Sequence, residues 1–124
     1  MNKEYTIFGA PVSCPRPKVT RFGTYYPAKY KAWKEKATAV LQDMEPIQEL
    51  EIIFILPRPK SAGKGSRRLS IKKPDIDNLV KAVFDALPFD DKIINRLICQ
   101  KFTAAYGEEP RTIVLVEPYQ EIPF

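Results

Sequence analysis

The apolar run Leu50–Leu56, which has the sequence LEIIFIL, is rich in isoleucine and ends at Pro57. A short, continuous apolar run of this kind is typical of a strand that is buried on both faces. Proline has no backbone N–H to donate, so it marks a point where strand pairing stops. The sequence therefore predicts a buried strand over Leu50–Leu56.

The chain before this run predicts a strand, an irregular segment and a helix. Glu4–Phe8 predicts a short first strand. The prolines and basic residues of Gly9–Tyr26 exclude a helix there and disfavour a central strand. Ala28–Met44 predicts a helix that Pro27 can open and Pro46 stops. Its apolar residues recur at helical spacing: Tyr30, Trp33, Ala37, Val40, Leu41 and Met44.

The chain after the run predicts a loop, a helix and two strands. Pro57–Lys73 predicts a flexible basic loop, and Asp75–Leu87 predicts a second helix. Leu97–Tyr106 and Arg111–Glu117 predict two strands, which the intervening Gly-Glu-Glu-Pro would join as a hairpin. The order is β-α-β-α-β-β. The sequence thus predicts that residues 1–124 form a single small α+β domain, a mixed sheet with two helices packed on it.

The positive charge of the chain is concentrated in one segment. The 124 residues contain 20 Lys and Arg against 15 Asp and Glu, a net charge of +5. Pro57–Lys73 contains no acid but seven bases: Arg58, Lys60, Lys64, Arg67, Arg68, Lys72 and Lys73. The rest of the chain is slightly acidic, so the excess lies here. Such a field favours a polyanion such as nucleic acid, although a solvated surface loop is the alternative.

Cysteine and histidine usage narrows the chemistry. The two cysteines, Cys14 and Cys99, have neither metal-ligand nor disulfide-framework spacing, which predicts reduced thiols in a cytoplasmic protein. No run approaches the length of a membrane helix, and no signal peptide is expected. Histidine is absent, which excludes Ser-His-Asp and Cys-His catalysis and histidine-bound zinc. Catalysis would need carboxylates, lysines and a hard, oxygen-bound metal.

Two aspartates at the start of the second helix are candidate metal ligands. Asp75 and Asp77 would point nearly opposite ways inside a helix. They converge only if Asp75 lies at the N-terminal end of the helix, which we call the helix mouth, and Asp77 lies in the first turn. Lys81 follows Asp77 by four residues, on the same side of the helix. Mg²⁺ needs only two or three carboxylates because it keeps several waters, and the pair Asp90-Asp91 can supply the third. The alternative is purely structural: Asp75 caps the helix, Asp77 and Lys81 form an exposed ion pair, and Asp90-Asp91 forms a turn.

This stretch resembles the signature of the RusA family of Holliday junction resolvases. The matching features are Asp75-Ile76-Asp77-Asn78-Leu79, then Lys81, then Asp85-Ala86-Leu87 and the Asp90-Asp91 pair. The early Pro-Arg-Pro-Lys and Lys101 are weaker matches. The resemblance implies a homodimeric, Mg²⁺-dependent endonuclease for four-way DNA junctions, with Asp75, Asp77 and Asp91 as metal ligands and Lys81 as the essential lysine. Only Pro88-Phe89 precedes the Asp pair where relatives usually carry a longer insert, so Asp90 and Asp91 both stay candidates.

The sequence therefore predicts a Holliday-junction endodeoxyribonuclease that makes paired symmetric nicks through a metal-activated water. Mn²⁺ is the expected substitute for Mg²⁺, and no small-molecule cofactor is expected. The protein would be bacterial or phage-encoded. The predicted DNA contacts are Arg16, Lys18, Arg21, Arg67, Arg68, Lys72, Lys73 and Lys101. The alternatives are a non-catalytic junction-binding module and a metal-dependent phosphodiesterase acting on RNA or other branched DNA. The final strand and the tail Tyr119–Phe124 are candidate dimer contacts.

Overall fold

The apolar run forms β4, which occupies the middle of a five-stranded mixed sheet. The computed structural model describes residues 3–16 and 18–116, without the side chains of Lys18 and Thr24. The strands are β1 (Lys3–Phe8), β2 (Lys18–Thr20), β3 (Gly23–Tyr25), β4 (Glu49–Leu56), β5 (Arg68–Leu69), β6 (Arg96–Thr103) and β7 (Arg111–Val116). The helices are α1 (Ala28–Leu41) and α2 (Ile76–Ala86), with 3-10 turns at Lys60–Ala62 and Asp91–Ile93. The predicted α+β class is confirmed.

The predicted hairpin between the last two strands is wrong, because β4 lies between them. The sheet order is β1-β7-β4-β6-β5. β4 pairs with β6 in parallel, from Glu49↔Arg96 to Leu56↔Thr103, and with β7 in antiparallel fashion, as in Ile53↔Ile113. A β6–β7 hairpin would leave one edge of the most buried strand without a partner. Pairing both edges of β4 satisfies its backbone groups, and α2 provides the crossover that parallel strands require.

The other differences from the prediction are local. The segment Gly9–Tyr26 contains a two-stranded ribbon, β2–β3, which forms a separate sheet. The first helix ends at Leu41, three residues before the predicted end at Met44. The basic loop contains a 3-10 turn and the short edge strand β5, in which Arg68 pairs with Thr103 of β6. Two-residue strands and ribbons have too few side chains to give a periodic signal.

Both helices pack on one face of the sheet. In β4, Leu50, Ile52 and Phe54 face this layer and join the main buried cluster. α1 contributes Tyr30, Trp33, Ala37 and Leu41 to the cluster, and α2 contributes Leu79, Val80, Ala82, Val83 and Ala86. The opposite face has a smaller cluster of Ile55, Ala104 and Ile113. One face of the sheet is thus covered by both helices, which places the start of α2 against the sheet.

The remaining predictions concern a membrane helix and the C-terminal tail. Within residues 3–16 and 18–116, no helix has the length and apolar character needed to cross a membrane. The tail Tyr119–Phe124 and the predicted end of the last strand at Glu117 lie outside the described residues.

Glu108 ties the basic loop to the turn between β6 and β7. Its carboxylate accepts hydrogen bonds from both Nε and Nη2 of Arg67 and from the backbone N–H of Ala105, at 2.9 Å for the latter. Arg111 is a further partner at 3.4 Å. The Arg67 hydrogen bonds are the main cause that lowers the pKa of Glu108 from 4.5 to about 2. The charge on Glu108 therefore stabilises the folded state.

The variant Glu108→Gln tests this ion pair, because the amide can still accept from Ala105 but carries no charge. The folded pKa is lower than the unfolded one. The stabilisation is therefore complete above about pH 4.5 and is lost as the pH falls towards 2. We expect the free energy of unfolding to fall by about 0.5–1.5 kcal/mol at pH 7, a small effect because Arg67 is partly exposed. Urea denaturation at pH 7, 4 and 3 should show the difference narrowing, with the exposed Glu45→Gln as control. An undiminished difference at pH 3 would contradict this role.

Candidate active site

The mouth of α2 holds two exposed carboxylates. Asp75 is extended (φ −68°, ψ 142°) and immediately precedes the helix, as predicted. Its backbone carbonyl accepts the N–H of Leu79 at 3.2 Å, which starts the helical hydrogen bonding. Asp77 lies in the first turn, and its Oδ1 accepts the N–H of Asn78 at 2.9 Å. Both aspartate side chains are exposed. The structure thus presents two carboxylates at one helix end.

The alternative prediction was that Asp75 caps the helix and that Asp77 pairs with Lys81, and the structure shows neither interaction among the described residues. Asp75 occupies the capping position, yet its side chain makes no capping hydrogen bond. Asp75, Asp77 and Lys81 take part in none of the ion pairs among the described residues. The exposed side chain of Lys81 follows Asp77 by one helical turn. Apart from Oδ1 of Asp77, which accepts the N–H of Asn78, the carboxylate oxygens of Asp75 and Asp77 are therefore available to a ligand.

Lys101 anchors the segment that leads into Asp75. Its Nζ donates to the carbonyls of Lys72 and Pro74, at 2.9 Å for Pro74. Lys101 lies in β6 opposite Phe54 of the central strand. The ammonium therefore connects the backbone just before Asp75 to the sheet. It had been predicted as a DNA contact, but its hydrogen bonds in the structure are to this chain's own backbone.

The Asp90-Asp91 pair follows the other end of α2. Asp90 caps the second 3-10 turn, since its carboxylate accepts the N–H of Lys92 at 3.0 Å. Asp91 is the first residue of that turn, and its side chain is exposed. Within the described ranges of one chain, no group of three or more Asp, Glu or Cys side chains is close enough to hold a metal ion. The structure therefore brings Asp75 and Asp77 to one helix end, but it does not group Asp91 with them.

Asp85 joins α2 to α1 and to the N-terminal segment. Its Oδ2 accepts the hydroxyl of Tyr30 at 2.9 Å and the thiol of Cys14 at 3.5 Å. Burial raises the pKa of Tyr30, and the hydrogen bonds to Cys14 and Asp85 raise it further, so the phenol remains a donor. The backbone N–H of Cys14 also donates to the carbonyl of Asn78 at 2.9 Å. These contacts fix Cys14 against both the first and the last turn of α2.

Arg58 organises the inside of the basic loop. Its guanidinium donates to the backbone carbonyls of Ala62, Gly63, Ser66 and Ala104. A Cβ on Gly65 would lie 2.6 Å from Nη2 of Arg58, so this position requires glycine if the guanidinium is to stay in place. Arg58 is therefore used within the loop and adds little to its outer surface.

The remaining bases of the loop differ in their availability. Arg67 is paired with Glu108. Arg68, Lys72 and Lys73 are exposed and take part in none of the described ion pairs. They lie within seven residues of Asp75 in the chain. Basic side chains therefore precede the carboxylates directly.

The N-terminal bases lie on and before the β2–β3 ribbon. Arg16 is exposed, and the guanidinium of Arg21 lies over the ring of Phe22, 4.9 Å from its centroid. The side chain of Lys18 lies outside the described part of the chain. Arg16 and Arg21 are thus accessible to an anionic partner.

Sequence reasoning missed the structural roles of Arg58, Glu108 and Lys101. For Lys101 a signal existed. In β6 it alternates with Leu97 and Cys99, both of which pack against the main core, so it lies on the helix-covered face. A lysine on such a face must find acceptors. For Arg58 and Glu108 the partners are distant backbone atoms and a loop arginine, which spacing does not reveal.

The comparisons with known proteins identify the family of this chain. Residues 9–117 match the family model described as Endodeoxyribonuclease RusA. The chain is also similar to the Uncharacterized protein YqaN of Bacillus subtilis (strain 168), with 30% identity over 136 residues, 91% of this chain and 94% of the relative. Members of the matched family are endodeoxyribonucleases of Holliday junctions and generally depend on a divalent metal. This chain belongs to the RusA family of endodeoxyribonucleases.

Proposed function

We propose that this chain is a Mg²⁺-dependent endonuclease that resolves four-way DNA junctions by paired, symmetric nicks. The observation that carries the proposal is the mouth of α2. Two exposed carboxylates, Asp75 and Asp77, lie there without an ion-pair partner among the described residues, directly after the exposed basic residues Lys72 and Lys73. A protein that only binds DNA gains nothing from placing carboxylates beside phosphates, since like charges repel. The arrangement supports hydrolysis over binding alone.

The donor set at the helix mouth fits a hard cation. Carboxylate oxygens are preferred ligands of Mg²⁺, which keeps several waters and does not need an all-protein cage. Asp75 and Asp77 would hold it, and Mn²⁺ would be its substitute. A bound Mg²⁺ would lower the pKa of the attacking water and offset charge on the scissile phosphate. We propose Asp91 as the third ligand in preference to Asp90, because Asp90 already caps the 3-10 turn through its carboxylate. Since the structure does not group Asp91 with Asp75 and Asp77, its side chain would have to approach them when the metal binds.

Lys81 would act on the charge that develops during cleavage. Its ammonium is exposed, one turn beyond Asp77, and has no acidic partner among the described residues. A fixed positive charge beside the phosphate stabilises the transition state more than the ground state, because negative charge accumulates on the oxygens. Hydrolysis would then proceed by direct attack of water, without a covalent enzyme intermediate.

The exposed lysines and arginines that take part in none of the described ion pairs would position the DNA backbone. Arg68, Lys72 and Lys73 precede Asp75 in the chain, and Arg16 and Arg21 follow Cys14, whose backbone contacts α2. Such contacts with phosphates supply affinity that falls steeply with salt. Lys18 would join the N-terminal group. Arg67 would act mainly through its pair with Glu108, which holds the loop.

Dimerisation would match the symmetry of the substrate. Two coordinated nicks need two active sites, and a two-fold dimer presents them in equivalent positions. The face of the sheet opposite the helices includes partly buried Ile53 and Leu115 and the half-exposed Ile98. β7, the final strand singled out from the sequence, contributes Ile113 and Leu115 to this face. We propose this face as the dimer contact.

A second candidate activity is cleavage of RNA or other branched DNA by the same site. The exposed basic residues would contact phosphates, which RNA shares with DNA, and such contacts do not by themselves select the sugar. A degenerate, non-catalytic relative is less favoured, because all the matched carboxylates are present.

The variant Asp75→Asn tests the catalytic role of the helix mouth. The amide is isosteric and Asp75 makes no structural hydrogen bond through its side chain, so the fold should be unaffected. We expect cleavage of a four-way junction to fall by at least about 100-fold, because a metal ligand is lost. Junction binding should persist or strengthen as repulsion of phosphate is removed. Gel-based cleavage and binding assays measure both, with the exposed Asp43→Asn as the matched control. Retained cleavage would sink the assignment.

The variant Lys101→Met tests whether this residue positions the site. The loss of the ammonium leaves the carbonyls of Lys72 and Pro74 without their donor, and the segment before Asp75 should loosen. We expect the Mg²⁺ concentration for half-maximal cleavage to rise by about 10-fold or more, with junction affinity in EDTA little changed. Hydrogen exchange at the Leu79 amide, which bonds to Asp75, should also accelerate.

Two companion variants separate positioning from general damage. Lys31→Met removes an exposed lysine of α1, which takes part in none of the described ion pairs, and should leave the Mg²⁺ dependence unchanged. Lys101→Arg restores a donor and should recover part of the metal affinity. An equal loss of junction affinity and cleavage, without a change in Mg²⁺ dependence, would instead make Lys101 a DNA contact.

A further inference from the structure

The β2–β3 ribbon presents apolar side chains that the fold does not bury. It forms its own two-stranded sheet and pairs with no strand of the main sheet among the described residues. Val19 and Phe22 are each 76% exposed, and Tyr25 is 48% exposed. An isolated two-stranded ribbon is marginally stable in water, and clustered exposed apolar residues mark an interaction surface. The ribbon therefore has the properties of a surface completed by a partner.

The charge around the ribbon indicates what that partner is. The chain contains no acidic residue from Gly9 to Lys34, whereas Arg16, Lys18 and Arg21 lie in or beside the ribbon. A second copy meeting the first through the same surface would bring like charges together. The guanidinium of Arg21 already lies over the ring of Phe22. Aromatic rings flanked by arginines are how proteins bind unpaired bases, which offer a flat π-face beside a phosphate.

The base of the ribbon is attached to the helix that bears the carboxylates. Cys14, four residues before β2, donates its backbone N–H to Asn78, the residue after Asp77. The thiol of Cys14 also contacts Asp85 of the same helix. The chain is therefore held against α2 four residues before the ribbon begins, and we expect a nucleic acid bound at the helix mouth to contact the ribbon as well.

We propose that the β2–β3 ribbon binds the branch point of the DNA, with Phe22 stacking on a base whose normal neighbour is missing there. This rests on the proposed junction substrate. At a four-way junction continuous stacking is interrupted, so the faces of some bases can be reached. In uninterrupted duplex every base face is already covered by its neighbours. Phe22 would thus strengthen binding to branched DNA but not to duplex DNA. It would therefore help the protein to select junctions over duplex.

The test is the ratio of junction to duplex affinity in EDTA, where binding is measured without cleavage. We expect Phe22→Ala to weaken junction binding by about 10-fold, the usual loss for one stacked base, and to leave duplex binding unchanged. Phe22→Trp should retain the preference for the junction, whereas Phe22→Leu, which keeps apolar area without a π-face, should lose it. Tyr106→Ala is the control, because Tyr106 is an exposed aromatic outside the ribbon. Its ratio should match that of the unsubstituted protein.

Three results would overturn the inference. One is an unchanged ratio in Phe22→Ala. Another is an equal loss on junction and duplex, which would make the ribbon a general DNA contact. The third is conversion of dimer to monomer by Phe22→Ala in analytical ultracentrifugation, which would make it a subunit contact. Because these assays do not depend on cleavage, a selective loss in Phe22→Ala would stand even if the protein failed to cut any junction.

Discussion

The pairing of β4 on both edges is the constraint on which the rest of the structure depends. β6 is parallel to β4 on one side, and β7 is antiparallel to it on the other. A parallel neighbour cannot follow through a tight turn, so the chain between β4 and β6 must cross over the sheet. That connection contains the basic loop and α2. The position of every candidate active-site residue from Arg67 to Asp91 thus follows from one strand-pairing choice.

The crossover places the site where open sheets with parallel strands commonly bind ligands. β4 and β6 are parallel neighbours, and the site lies towards their carboxyl ends, at the start of the helix that links them. Lys101, two residues before the end of β6, makes this placement firm because it bonds the backbone that leads into Asp75. Arg58 holds the basic loop from its interior by bonding its carbonyls, and Glu108 holds the loop from outside by binding Arg67. Arg58, Arg67 and Lys101 therefore have structural roles, and they are not counted among the basic residues proposed to meet DNA.

Periodicity and composition predicted the elements whose signals are local. The LEIIFIL run, the stripe of Leu79, Val80 and Val83, and the extended position of Asp75 each follow from a few neighbouring residues. The family was also identifiable from the spacing of Asp75, Asp77, Lys81 and the Asp90-Asp91 pair. These features are specified by residues within one or two turns of each other, so a single sequence contains them.

What the sequence did not reveal depends on long-range pairing. The turn before β7 predicted a hairpin, because Gly107 and Pro110 favour a reversal, but the competition for the edges of β4 is decided by the whole sheet. Lys101 and Arg67 looked like free bases because their acceptors, the carbonyl of Pro74 and the carboxylate of Glu108, are distant in the chain. A single sequence does not show whether a charged side chain contacts solvent, a phosphate or a buried carbonyl.

The most direct test of the account is cleavage of a mobile four-way DNA junction beside a duplex of the same sequence, with Mg²⁺ and with EDTA. We expect paired, symmetric nicks in the junction alone, which EDTA abolishes and Mn²⁺ sustains. Junction binding without nicks in either metal, by protein that is folded and dimeric, would contradict it. The carboxylates at the mouth of α2 would then have no catalytic part, and the protein would be a junction-binding member of its family.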